Sequence, residues 1–139
     1  MYKKILAPID FAHVEKSKAI FDQARALADA NGSELTLLNV LLEIPPYVAM
    51  DIPQGTQEKT MVHAEAMLAK LAEEHGLASS TKIEVREGNP SNEILRFARE
   101  NDTDLIIVAS HQPELADYLL GSVAGKVVRH AHCTVLVLR

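Results

Sequence analysis

Residues 104–111 form an apolar run that ends in polar residues, and Leu119-Leu120-Gly121-Ser122-Val123 follows soon after. The pattern reads as a buried strand, a polar loop, and a Gly-Ser step opening a helix. A helix start gathers several backbone N–H groups and the positive end of the helix dipole in one place. The chemistry that suits it is phosphate binding. Gly121 would let a phosphate approach the backbone, while the Ser122 hydroxyl and nearby N–H groups point at it. Ser110, His111 and Gln112 would form the other wall, with Ser110 and Gln112 as neutral donors. The plainer role of Ser122 is an N-cap worth about 1 kcal/mol, and both roles can hold together.

Asp10 follows an apolar stretch and Pro8, where its carboxylate would accept from ribose hydroxyls as the acidic residue of dinucleotide folds does. It could instead only turn the chain. His111 titrates near physiological pH, yet no serine, cysteine or carboxylate stands at a spacing that would make it an acid/base catalyst. No catalytic residue is therefore assigned. His130-Ala131-His132-Cys133 sits where a helix gives way to a strand, which directs the side chains apart, so no metal site is assigned either. Neither the Walker phosphate loop nor the GxGxxG fingerprint occurs. A nucleotide here would be held without a lysine on its phosphates.

Five short runs rich in aliphatic and β-branched residues, at 4–8, 34–40, 82–85, 104–109 and 134–138, read as strands. Four segments with helical spacing lie between them: around Ile20 and Ala24, around Leu68 and Leu71, around Ile94 and Ala98, and around Val123 and Val127. Ser17 is the expected start of the first helix, Gly32 lies past its end, and Asn89-Pro90-Ser91 opens the third. Alternating strands and helices imply an α/β fold, a doubly wound five-stranded parallel sheet with helices on both faces. With the common order 3-2-1-4-5, the winding reverses between strands one and four. Pro8-Ile9-Asp10 and Ala109-Ser110-His111 then meet at one crevice, and Asn39-Val40 reaches it from strand two. Residues 41–56 contain Pro45, Pro46, Pro53 and Gly55 without clear periodicity and read as a long loop, a lid or partner surface.

At 139 residues the chain reads as a single domain, 1–139, large enough to bury roughly two-thirds of its unfolded surface. Hydrophobic residues make up 47% and aromatics only 4%, so the core must be aliphatic. A formal charge of −5 with no Lys/Arg cluster argues against a nucleic-acid partner. No apolar stretch is long enough to cross a bilayer, so no membrane partner is expected. One cysteine, Cys133, cannot form an internal disulfide, which suits a reducing cytoplasm.

Pro8-Ile9-Asp10, Glu87-Gly88, Leu120-Gly121-Ser122-Val123, Val128-Arg129-His130-Ala131 and Val135-Leu136-Val137, taken in order, resemble the universal stress protein family. The likeness spans nearly the whole chain. Nucleotide-binding members carry Gly-x2-Gly-x9-Gly-Ser/Thr after strand four. Here Gly121-Ser122 matches the last pair, Ala109 and Gln112 stand at the earlier glycines, and the intervening loop is one residue shorter. This version looks like the F and G type branch, which is associated with ATP.

The resemblance implies ATP as ligand. Pro8, Ile9 and Asp10 would meet adenine and ribose, and the Val40 backbone would meet adenine. Ala109, Ser110, Gln112, Gly121, Ser122 and Val123 would surround ribose and phosphates. Mg²⁺ usually accompanies bound ATP phosphates. The resemblance also implies a homodimer through the last strand, an exposed edge of the kind that invites pairing. The leading expectation is a cytoplasmic ATP-binding stress-response protein that acts as a sensor or regulator. The alternatives are a slow ATPase or phosphotransferase, and a ligand-free dimerising module whose 41–56 loop meets the partner.

Overall fold

Along β1 (Lys4–Pro8), Ile5 and Ala7 face one side of the sheet and Leu6 the other, as a period of two requires, and all three are buried. Burial on both faces is what a parallel sheet wrapped by crossover helices needs. A computed structural model describes residues 1–110 and 121–139. Its strands are β1, β2 (Glu34–Leu41), β3 (Lys82–Glu87), β4 (Leu105–Ala109) and β5 (Thr134–Leu138). They form one parallel sheet in the order β3-β2-β1-β4-β5, with Ile5 opposite both Leu35 and Leu105.

Two cores follow from the two faces. On one side α1 (Val14–Asn31) and α3 (Thr56–Glu74) press Ile20, Phe21, Leu68 and Leu71 onto Ile5, Leu37 and Ile107. On the other, α4 (Pro90–Glu100) and α5 (Ser122–His130) press Ile94, Phe97 and Val127 onto Leu6, Leu38 and Ile106. Phe21 and the His75 ring stack at 4.3 Å between centroids, which joins α1 to the end of α3.

Two local readings change. The first helix begins at Val14, not Ser17, because Asp10 caps a short 3-10 turn, Phe11–His13, that leads straight into α1. Ser17 is inside the helix and buried, its hydroxyl donating back to the His13 carbonyl at 3.4 Å. The long connection after β2 holds a one-turn helix, α2 (Pro46–Ala49), with Pro46 at its start. Gly32 does end α1, in the left-handed conformation at φ 64°. Among the described residues no helix is long and apolar enough to cross a membrane.

Candidate functional site

The winding reverses between β1 and β4, and the carboxyl ends of these strands open on a cleft of ≈ 320 Å³. Two hydrogen bonds fix the chain where β1 ends. The Ile9 N–H donates to the Leu38 carbonyl at 2.8 Å, and the Asn39 side-chain Nδ2 donates to the Ile9 carbonyl at 2.9 Å. Asp10 then turns outward. One of its carboxylate oxygens accepts from the Ala12 N–H at 2.9 Å, which caps the 3-10 turn and leaves the exposed carboxylate at the cleft rim.

The remaining walls are aliphatic. Leu38 and Val40 come from β2, Val108 and Ala109 from β4, and Ile94 and Ala124 from the two helices on that face. Pro90 and Val123 also line the cleft, so the N-terminal ends of α4 and α5 both reach it. Both helix starts turn a positive dipole end toward one opening, and the α5 start, which has no side-chain cap, also brings N–H groups without helical partners, whereas at α4 Pro90 has no N–H and Asn89 caps that of Asn92. Asp10 is the only charged side chain among the described lining residues. An apolar slot with a carboxylate at its rim and helix starts beside it can hold a flat apolar ring, hydroxyls and an anionic tail.

Of the residues expected here, Pro8, Ile9, Asp10, Val40, Ala109 and Val123 line the cleft. Ser110 and Ser122 adjoin lining residues in the chain and Gly121 precedes Ser122, but none of the three is itself part of the described lining. The backbone N–H of Ser110 is turned to β5, donating to Leu138 at 2.9 Å. Gln112, with His111, lies outside the described residues. Ser122 is not the N-cap: Gly121 holds that position without a side-chain bond, and its carbonyl accepts from Gly125 at 2.8 Å.

Sequence reasoning passed over Ile94 and Pro90 as site residues, and placed Asn39 at the crevice without giving it a role. Asn39 had a signal, a side-chain amide within an otherwise aliphatic strand segment, where asparagine is disfavoured. A second cavity of ≈ 340 Å³, with Arg99, Asp102, His132 and Cys133 on its wall, lies at the opposite end of the sheet. It is away from the switch point and shares no lining residue with the cleft. Among the described residues no group of three His, Cys, Asp or Glu side chains could hold a metal ion.

A doubly wound parallel sheet with an aliphatic cleft at its switch point places the chain among small doubly wound α/β proteins. The model of the universal stress protein family matches residues 1–139, and the chain belongs to that family. A universal stress protein of Methanocaldococcus jannaschii is 34% identical over 147 residues, covering 100% of this chain and 83% of that one. Universal stress protein G of Salmonella typhimurium is 30% identical over 146 residues, covering 100% of both. Among solved structures, the UspA protein of Lactobacillus plantarum has a TM-score of 0.79 at 25% identity, covering 99% of this chain and 98% of that one. A universal stress protein in complex with cAMP has a TM-score of 0.68 at 20% identity, covering 99% and 97%.

Proposed function

We propose that this chain is a single-domain, cytoplasmic stress-response protein of the F and G type branch that binds ATP and works as a nucleotide-dependent sensor or regulator. One observation carries the reading: the aliphatic cleft brings Pro8, Ile9, Asp10 and Val40 together with the start of α5. In this reading the adenine ring lies between the aliphatic walls, and Asp10 accepts from the ribose hydroxyls. Ala109, Ser110, Gln112, Gly121, Ser122 and Val123 surround ribose and phosphates. Helix-start N–H groups can neutralise part of the phosphate charge without a lysine. Mg²⁺ would enter bound to those phosphates, because Asp10 is the one carboxylate among the described lining residues. The cAMP complex of a relative of the same fold supports a nucleotide as the class of ligand.

Binding rather than turnover is the function in this reading. The dimer would form through β5, which lies at the edge of the sheet and pairs with β4 on one side. Titration calorimetry of protein stripped of nucleotide tests the binding. Saturable uptake of one ATP per chain is expected. No heat and no thermal shift with ATP in large excess would overturn the reading.

A further inference from the structure

Pro8 stands opposite Leu38 in the parallel ladder of β1 and β2, which puts Ile9 opposite Asn39 if the register continues. Ile9 should then donate to the Leu38 carbonyl and accept from the Val40 N–H. Only the first of these bonds forms. The Ile9 N–H reaches the Leu38 carbonyl at 2.8 Å, but the Ile9 carbonyl accepts from the Asn39 side-chain Nδ2 at 2.9 Å, and β1 ends at Pro8. The Val40 N–H is left without the partner that the ladder would give it.

The side chain of Asn39 suits this interruption. In register with Val85 of β3, it turns toward the core under α1 and α3, where Ile9 also packs as the chain leaves the sheet for α1. The atom that meets the Ile9 carbonyl must be the amide nitrogen, since a carbonyl can only accept. Oδ1 is thereby left with less than 1 Å² of accessible surface and no hydrogen-bond partner. An aliphatic residue would fill the same place in the strand without that cost. What the asparagine supplies instead is the bond to Ile9. Val40 lines the cleft beside Pro8, Ile9 and Ala109, and its N–H points to the side of β2 from which β1 has departed.

We propose that Asn39 is a positioning residue: by occupying the Ile9 carbonyl it stops the β1–β2 ladder one bond early and keeps the Val40 N–H open as a donor to the ligand of the cleft. The role rests on the nucleotide reading for the identity of that ligand. Without the amide, the Ile9 carbonyl and the Val40 N–H would close on each other, and the cleft would lose a donor.

Amide hydrogen exchange of nucleotide-free protein, followed residue by residue by NMR, and calorimetric titration with ATP test it. In the unaltered protein the Val40 N–H should exchange at least about tenfold faster than that of Leu38, which lies within the ladder, and should slow when ATP is added. Asn39→Leu, of similar size, should slow Val40 exchange about tenfold in the free protein and bind ATP about three- to tenfold more weakly. It should still melt within about 3 °C of the parent, because a backbone bond replaces the side-chain bond and the unpaired acceptor is gone. A purely structural tether would show the opposite: a lower melting temperature, Val40 exchange no slower, and unchanged ATP affinity in the folded variant. That result overturns the inference, as does a Val40 N–H as protected as that of Leu38 in the free parent. If Asn39→Leu fails to fold, Val40 exchange in the unaltered protein, free and with ATP, decides. If ATP does not bind, the nucleotide reading falls, and Val40 exchange in the free parent and variant still decides the role of Asn39.

Discussion

The Asp104 carboxylate clamps the beginning of β4 to the beginning of β1: one oxygen accepts from the backbone N–H of Lys4 and also from that of Lys3, each at 2.7 Å. These bonds, led by the one from Lys4, hold the Asp104 carboxyl below its ordinary value of 3.8. A carboxyl lowered by folding stabilises the fold above its unfolded value, and that contribution is lost as pH falls through the folded value. Asp104→Asn should keep an acceptor but lose this pH dependence. Melting temperatures followed from about pH 6 down to about pH 2.5 should fall less steeply below 3.8 in the variant than in the parent. Parallel curves would remove the clamp from the account of acid stability.

The same carboxylate acts on Cys133. Burial raises the thiol above its ordinary value of 9.0, and the negative charge of Asp104 adds to the effect. The thiolate is the reactive form, so Cys133 should be a slow nucleophile at neutral pH. Iodoacetamide alkylation followed by mass spectrometry should show a rate that rises with a midpoint above 9.0. At about pH 7.5 it should be roughly tenfold slower than in denatured protein. Asp104→Asn should lower the midpoint only in part, because burial is the larger cause. A midpoint at or below 9.0 in the folded parent would contradict this.

Gly88 joins β3 to α4 at φ 146°, a conformation that side chains rarely adopt. A Cβ there would stand 3.2 Å from the Glu93 Cγ. Glu93 has little room to yield, since its carboxylate is paired with Arg96 at 3.0 Å and Arg86 at 3.8 Å and its side chain is nearly buried. Gly88→Ala should therefore destabilise the protein by about 1–3 kcal/mol. Asn89→Ala removes the cap, whose Oδ1 accepts from the Asn92 N–H at 3.1 Å and from the Ser91 hydroxyl at 2.8 Å, and should lose about 1 kcal/mol. Chemical denaturation of the two variants should rank them in that order. Both changes lie at the start of the helix that brings Pro90 and Ile94 to the cleft, so ATP affinity should fall with stability.

The alternation of aliphatic runs with helical spacing made the sheet and its order legible, because burial on both faces leaves strands such as 105–108 almost without polar residues. Local competitions between similar structures were less legible. Asp10 and Ser17 are both good helix starters, and only the 3-10 turn at Phe11–His13 decides between them. The helix at Pro46–Ala49 is four residues long, too short to display a period. The Asn39 amide donates to the Ile9 carbonyl, thirty residues away in sequence and adjacent only once β2 pairs with β1. Pro90 and Ile94 could be read as a helix start and its apolar face, but not as part of the cleft, since that depends on where α4 crosses the sheet.

Asp10 has two roles that substitution can separate. As a cap it needs only one oxygen for the Ala12 N–H at 2.9 Å, which asparagine also supplies. As a partner of ribose it needs a second acceptor, which asparagine replaces with a donor. Asp10→Asn should therefore melt within about 0.5 kcal/mol of the parent yet bind ATP about tenfold more weakly, the loss expected for a hydrogen bond to a charged group. Asp10→Ala should lose the cap as well, about 1 kcal/mol of stability. If the carboxylate meets ribose hydroxyls, 2′-deoxy-ATP should bind the parent more weakly than ATP, and Asp10→Asn should narrow that difference. An Asp10→Asn protein that binds ATP as the parent does would leave Asp10 a capping residue only, because the substitution preserves the cap and removes nothing but the charge and the second acceptor.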